Sequence, residues 1–578
     1  MDPGQVQEQL SRIVANELFA GSRRMIRFLE FTVGEALAGR GAELKETLVG
    51  ASVFDRPVDY DPRIDPIVRV EARRLRAKLE SYYAGAGSGD PVRIHYPRGG
   101  YAPTFEIREE GARATAAPAA RTIAILPFAN LSPDPEHAFF GDGLAQELIH
   151  ALTRVPDLRV MAWSTAARLR EQGAPGPREA AERLQAERLQ VDAVVEGSVR
   201  RAGKRVRITA GLVDSKSGVY LWTGAYEREL ADLFAVQEEL ARSIATILEV
   251  RLAPPSRVES VETYSLYLRG RVAWNRRTEE GLRQSIVFYQ RAAQADPRSG
   301  LAYAGLADAY SLLCDFGFEP SVKVIPLARE AAMRALELDE SLAEAHVSLG
   351  FVVSMHGWNW DLGEEHYRRA IRLNPGYVTA HHWYGCDLLA LRGRHEEALR
   401  EMEIAVQLSP LEPSIGETAG YIHMLARRYD EAERAFAVLL EKCPDYYKSH
   451  TGLGRVLAAQ GRYEEAIGHL ERGRALAGDL PSILGALCQI RGMKGDRSEA
   501  ERLLAQLSGL ARHRHVSGVV FGLANAGLGR RDEALGWLEK ACEQRETSVT
   551  HIGVHPAYDS LRNEARFETM LRRVGLRQ

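Results

Sequence analysis

The stretch GRYEEAIGHLERGRAL, residues 461–476, decides how this chain is read. Small Ala466 suits a close contact between two helices, and Ile467 and Leu470 form an apolar stripe at helical spacing. The pattern Gly-Arg-x-Glu-Glu-Ala returns with its alanine at Ala398 (GRHEEA), Ala432 (RRYDEA), Ala500 (GDRSEA) and Ala534 (GRRDEA), in steps of 34 residues. A second marker, a proline closing the unit, stands at Pro297, Pro375, Pro410 and Pro444, with LDE at Glu340 filling one slot. One helix pair cannot bury such a stripe alone. Stacked pairs bury it against each other, so each takes stability from its neighbours and the stack presents a concave face.

These elements resemble the tetratricopeptide repeat over residues 262–546, with GR-x-E-E-A and LNP matching its turn and second helix. The resemblance implies an all-α solenoid whose groove receives a protein or peptide. Three local departures stand out. The markers at Pro297 and Glu340 are 43 residues apart, and CDFGFEPSVKVIP carries the excess, so one enlarged connection is expected. Gly363 replaces the small alanine in WDLGEEHYRRAIRLNP. The tail, residues 547–578, reads as a helical cap over the last repeat's apolar face.

A chain of 578 residues exceeds one hydrophobic core, so several domains are expected. Hydrophobic residues make up 45%, charged residues 26%, and the net charge is -3, which gives no global polyelectrolyte character. Nucleic-acid binding would need a local patch. The start MDPGQVQEQL lacks the basic and apolar runs of a signal peptide, and no stretch is apolar enough to span a bilayer, so no membrane association and a cytoplasmic location are expected. The cysteines Cys314, Cys386, Cys443, Cys488 and Cys542 are far apart and lack CxxC spacing, as suits buried thiols.

Residues 109–120 (EEGARATAAPAA) read as a linker, followed by a mixed segment at 121–255. RTIAILPF reads as a buried strand, GLAQELIHALTRV as a helix, LRVMAW as a strand, AARLREQG and REAAERLQAERLQV as helices. DAVVEGSVRRAGKRVRITAGLVD reads as a hairpin turning at Ala202 and Gly203, VYLWTGAYE continues the sheet, and LADLFAVQEELARSIATILEVRL is a long amphipathic helix. Asp142 in Gly141-Asp142-Gly143 reads as the cap of its own helix. An anion at that helix start is the alternative. ILPFANLS, FFGDGLAQEL and VEGSVRRAGKRVRITAGLVD resemble the amino-terminal domain of the TolB family and its flagellar-assembly relatives, which implies an α/β domain.

Residues 1–108 give three helical stretches and a hairpin: SRRMIRFLEFTVGEAL, LKETLVGASVF, IVRVEARRLRAKLESYY, then VRIHY-PRGG-YAPTF. In the third helix Val68, Ala72, Leu75, Leu79 and Tyr82 share one face. That turns Val70 and Arg73 outward, flanked by Arg69 and Arg74, as candidates for base edges in a major groove. Arg76 and Lys78 lie nearer the seam and, with hairpin residues Arg93 and Arg98, suit phosphates. RRLRAKLE and PRGGY resemble the OmpR-type winged helix, closest to a variant found at the front of bacterial proteins that combine it with a TolB-like domain and tetratricopeptide repeats. Against the OmpR type, no amino-terminal four-stranded sheet and no preceding receiver domain are expected, and the wing turn is one residue shorter. Residues 1–108 hold 16 Lys and Arg against 15 Asp and Glu.

No GxxxxGK[ST] loop, HExxH pair, GxSxG elbow or kinase signature occurs, and His382 with Cys386, His513 with His515 and His551 with His555 lack second pairs. The chain is therefore expected to be no enzyme, without cofactor or metal, its histidines surface or packing residues. The expectation is a multidomain bacterial regulator: an α+β winged helix that binds double-stranded DNA, an α/β TolB-like domain and an all-α solenoid that binds a protein. The rival is an interaction scaffold whose winged helix contacts protein. An unrecognised enzymatic site in the middle segment is a third, remoter alternative.

Overall fold

Val6, Leu10 and Ile13, three to four residues apart, bury the inner face of a first helix, α1 (Pro3–Ala15), which the sequence pattern did not single out. The computed structural model describes residues 3–16, 18–19, 22–57, 67–84, 87, 90–97, 100–107, 121–132, 139–155, 158–171, 176, 179–180, 182–183, 191–202, 205–229, 233–248 and 261–576. The expected linker lies outside them. The chain divides into two compact units, Met1–Ala119 and Ala120–Gln578.

In the first unit α1 is followed by α2 (Arg23–Leu37), α3 (Glu46–Phe54) and α4 (Ile67–Ala84), then by the antiparallel pair β1 (Val92–His95) and β2 (Thr104–Ile107). Val92, Ile94 and Tyr96 alternate inward as a period of two requires. They join Phe28, Leu29, Val68 and Leu75 in one core, where Tyr96 and Thr32 share a buried hydroxyl–hydroxyl bond of 2.5 Å.

The second unit opens with a mixed sheet. Its strands are β3 (Arg121–Ile125), β4 (Ala129–Asn130), β5 (Leu158–Val160), β6 (Ala193–Ala202), β7 (Arg205–Asp214) and β8 (Tyr220–Glu229), ordered β5-β3-β6-β7-β8 with β4 on β6. The pairs β3–β5 and β3–β6 are parallel, and β6–β7 and β7–β8 are antiparallel. Ladder pairing reaches Ala202↔Arg205, so Ala202 belongs to the ladder and not to the turn as the sequence suggested, and Gly203 lies outside the described residues. Helices α5 (Phe139–Thr153), α6 (Trp163–Glu171) and α7 (Leu233–Ile247) accompany the sheet. Most of the expected helix REAAERLQAERLQV lies outside the described residues. Asp142 does not cap α5. It sits inside the first turn and receives both guanidinium nitrogens of Arg170, at 2.7 and 3.2 Å.

The rest is a succession of helix pairs, eight among the described residues: α8 (Val261–Asn275) with α9 (Glu279–Ala295), α10 (Gly300–Asp315) with α11 (Ser321–Leu338), α12 (Ala343–Phe351, widened to a π turn through His356) with α13 (Trp360–Leu373), α14 (Val378–Trp383, likewise through Ala390) with α15 (His395–Leu408), α16 (Pro413–Leu425) with α17 (Tyr429–Lys442), α18 (Tyr447–Ala459) with α19 (Tyr463–Ala477), α20 (Pro481–Lys494) with α21 (Arg497–Leu510), and α22 (Gly518–Gly527) with α23 (Arg531–Glu543). The 34-residue period is a period of backbone conformation. Gly393, Arg427, Gly461, Gly495 and Gly529 all take positive φ, between 63° and 96°, and end the first helix of a pair in the left-handed turn that glycine adopts without strain. Arg427 breaks the glycine rule, and its guanidinium reaches Asp559 at 2.8 Å.

Aromatic wedges lock the pairs together. A Cβ on Gly420 or Gly452 would stand 2.8 or 2.3 Å from the Phe436 ring, so this side chain of α17 is seated against the first helices of its own pair and the next. Tyr289 sits the same way between Gly270 and Gly305. Gly363 is equally required, since a Cβ there would meet Ser354 at 2.8 Å. The 43-residue interval is shared among a 16-residue α10, a longer turn and an 18-residue α11, where α18 and α19 have 13 and 15 residues. It is not one enlarged connection.

Ala466 is fully buried, and a Cβ on Gly454 would lie 2.9 Å from its carbonyl oxygen. Ala466→Trp is therefore expected to overpack the α18–α19 contact by roughly 1 to 3 kcal/mol or more. Chemical denaturation of residues 120–578 checks this, and an unchanged midpoint would refute the packing.

The tail is helical in part, with 3-10 turns at Thr547–His551 and Pro556–Leu561 and α24 (Ala565–Arg573), but it does not stop at the last pair. The Thr547 amide donates to Ser321 Oγ (3.3 Å), the Thr550 hydroxyl to Met355 Sδ (3.5 Å), Trp360 Nε1 to the Val574 carbonyl (2.8 Å) and Gln489 Nε2 to the Ala557 carbonyl (2.9 Å). It touches the solenoid from the second pair to the eighth. The groove expected to be free is thus partly filled by the chain itself, and the tail is a lining rather than an end cap.

Candidate nucleic-acid interface

Helix α4 offers the candidate surface because its apolar residues return every three or four positions. Val68, Ala72, Leu75, Leu79 and Tyr82 are all at most 3% exposed. The opposite face is consequently fixed outward, and Val70 is 42% exposed there.

The cations on this face differ in what holds them. Arg69 Nε lies 3.0 Å from Glu46, in the first turn of α3, and Arg74 lies 2.8 Å from Glu71 one turn away. Both pairs are open to water, which weakens them and leaves the guanidiniums available for exchange. Arg73 is exposed and makes no hydrogen bond or ion pair among the described residues. Burial forced by the stripe therefore puts Val70 and Arg73 side by side on the surface, flanked by Arg69 and Arg74, in the arrangement the sequence suggested.

The residues read as phosphate contacts are placed differently. Arg76 is half-buried and donates from Nη2 to the Gly100 carbonyl at 3.2 Å, tying α4 to the hairpin. Lys78 donates to Ser22 Oγ at 2.6 Å and stands 5.4 Å from the Phe19 ring centre. Arg93, on β1, lies over the Tyr83 ring at 5.4 Å. All three take part in the unit's own packing. Arg98 lies outside the described residues. Sequence reasoning missed Arg23 and Arg24, both exposed in the first turn of α2 directly after Ser22. The Lys78–Ser22 bond brings a third cation to that helix start, where free amides favour anions. The signal was Ser-Arg-Arg at a helix beginning.

Elsewhere His382 and His551 take part in packing, and His513 is exposed. His382 Nε2 lies 2.8 Å from Thr418 Oγ1, and His551 Nδ1 lies 2.9 Å from the Tyr421 hydroxyl. Cys314, Cys443, Cys488 and Cys542 are buried and Cys386 is half-buried. Among the described residues no helix is long and apolar enough to cross a membrane.

The tetratricopeptide-repeat family model matches residues 418–481, the stretch that runs from α16 to the start of α20. The chain is 34% identical over 251 residues to a Rhizobium meliloti protein named "Putative adenylate cyclase 3", covering 41% of each. It is 27% identical over 179 residues to the transcriptional regulator HilA of Salmonella typhimurium, covering 31% of this chain and 32% of that one. The matches thus span less than half the length of either relative. A solved structure of Pseudomonas aeruginosa pilF aligns at 22% identity and a TM-score of 0.28, over 36% of this chain and 94% of that one. The helix pairs and the family model agree: the carboxyl-terminal region of this chain carries tetratricopeptide repeats.

Proposed function

We propose that the chain is a regulatory protein: residues 1–108 act as a winged-helix DNA-binding unit, residues 121–255 form a TolB-like domain, and the solenoid, residues 262–546, receives a partner protein. One observation carries the DNA half. On an otherwise charge-balanced unit, Arg73 stands exposed without a carboxylate partner beside exposed Val70, on a helix whose other face is wholly committed to the core. Val70 and Arg73, with Arg69 and Arg74, are the base-edge candidates. Arg23, Arg24, Arg93 and Arg98, with Arg76 and Lys78 behind them, would meet phosphates. The regulator named among the relatives supports this reading. The relative named as a cyclase raises a different chemistry, but no segment here resembles a cyclase domain.

Arg73→Ala is expected to cost about 1 to 3 kcal/mol on the preferred site and to relax its sequence choice. Arg98→Ala should weaken all sequences alike and flatten the salt dependence. Fluorescence anisotropy of residues 1–119 and of the intact chain, against host genomic fragments at several salt concentrations, measures both. No saturable binding by either, even at low salt, would sink the DNA reading.

The scaffold reading has its own support, because Arg27–Asp55, Arg40–Glu35, Arg69–Glu46 and Arg74–Glu71 pair away much of the unit's positive charge. Capture from host lysate with residues 1–119 and 120–578 separates the two. Specific proteins are expected on the second fragment, and their recovery on the first alone would favour the scaffold.

A further inference from the structure

The TolB-like segment and the solenoid pack closely. The Ala162 amide donates to the Leu408 carbonyl at 2.8 Å, Ser164 and Ser409 hydroxyls lie 2.8 Å apart, and a Cβ on Gly376 would stand 2.8 Å from Thr153. Between these contacts lies a cavity of about 310 Å³, walled by α5 and α6 on one side and by α8, α14 and α16 on the other.

Its wall is rich in donors without acceptors. Gln146 is 6% exposed; its Oε1 accepts from Asn275 at 2.9 Å, while its Nε2 has no partner. Among the described residues the Nε1 of Trp274, 3% exposed and able only to donate, is also unpartnered, as is the Tyr377 hydroxyl. A buried donor left unpaired typically costs about 1 to 3 kcal/mol, and these three share one cavity whose occupant could accept from them. The charges agree in sign. Three arginines line the cavity, Arg168, Arg271 and Arg277, against one carboxylate, Glu412. Arg271 stands 3.9 Å from Asp308. Among the described residues Arg168 bonds the Leu411 carbonyl and Cys443 Sγ, at 3.5 and 2.8 Å. Arg277 stacks on the Trp274 ring at 3.7 Å, with no carboxylate in ion-pair reach among the described residues. Its backbone is held in the left-handed region, φ 54°, at the α8–α9 turn.

We propose that this cavity binds a small organic anion, a carboxylate or phosphate monoester attached to a flat apolar body, with Arg277 and Arg168 taking the charge and Gln146, Trp274 and Tyr377 donating to its oxygens. The volume lies at the lower end of small-molecule sites, roughly 300 to 1,000 Å³, which excludes a peptide or nucleic-acid strand. Because both walls contribute, an occupant would tie the TolB-like segment to the solenoid, a role the DNA and protein partners do not account for.

Calorimetric titration of the intact chain with phenyl phosphate and with 3-phenylpropionate tests this. Saturable one-to-one binding of either probe, each displacing the other where both bind, is expected, and the tighter probe identifies the head group. Arg277→Gly removes the charge at a backbone position glycine favours and should weaken binding about tenfold or more. Trp274→Phe keeps the ring, loses the N–H, and should weaken it less, which decides the matter if the first variant misfolds by circular dichroism. The proposal is overturned if neither probe saturates at millimolar concentration, or if the folded variants bind as the unaltered chain does.

Discussion

Removing residues 547–578 is expected to loosen the solenoid along most of its length, not merely to fray its last pair. Val549, Ile552, Leu561, Phe567 and Val574 are each fully buried, and burial of such side chains stabilises by about 1.5 to 3 kcal/mol apiece. Their gross contribution is comparable to the roughly 5 to 15 kcal/mol that separates folded from unfolded domains. The tail's polar contacts reach Ser321, Met355, Trp360 and Gln489, more than 50 residues away along the chain and in three different pairs. Hydrogen exchange on the truncated chain should therefore show lost protection in residues 314–321, 355–360 and 421–427 as well as in α22 and α23. If the loss is confined to α22 and α23, the tail is an end cap and its placement along the groove is wrong.

The tail also shows where the sequence stopped being informative. Its amphipathic character was legible, but an apolar stripe does not say which surface it meets, and the last pair was only the nearest candidate in sequence. The repeat was legible because its signal is local: a left-handed turn every 34 residues selects glycine, and the following helix start selects Glu-Glu-Ala. Helix α1 was not singled out because Val6, Leu10 and Ile13 are scattered among glutamines and gain their meaning only in the core they share with the hairpin. On α4 the inward face was readable, and with it Val70 and Arg73. The tethers on Arg76 and Lys78 were not, because Gly100 and Ser22 come from other parts of the chain. The cavity lay furthest from view, since Gln146 and Asn275 are 129 residues apart. Nothing in either local pattern announces the other.

Acid should release the tail before it dissolves the repeats. His551 packs against Tyr421, and burial near Arg455 pulls its pKa down to about 4. His555 is held well below the ordinary range by burial and by Arg455, His551, Arg427 and Arg562, and its Nδ1 accepts from the Ala557 amide at 3.1 Å, which a protonated ring cannot do. Asp559, four residues on from His555, is paired with Arg427 and Arg562. Both imidazoles are thus neutral in the fold and take up protons more readily when released. The sign follows: a base with a depressed folded-state pKa contributes stability in full above the unfolded value near 6.5, and that contribution is lost as pH falls from there through about 4. For His551 alone the loss is roughly 3 kcal/mol. Denaturation midpoints of the intact chain between neutral pH and pH about 4 should fall steeply. His551→Gln with His555→Asn should flatten that fall, asparagine preserving the acceptor at the helix start. Since His382 and the carboxylates titrate identically in both proteins, only the difference between them reports on the tail, and parallel curves would show that these two histidines do not hold it.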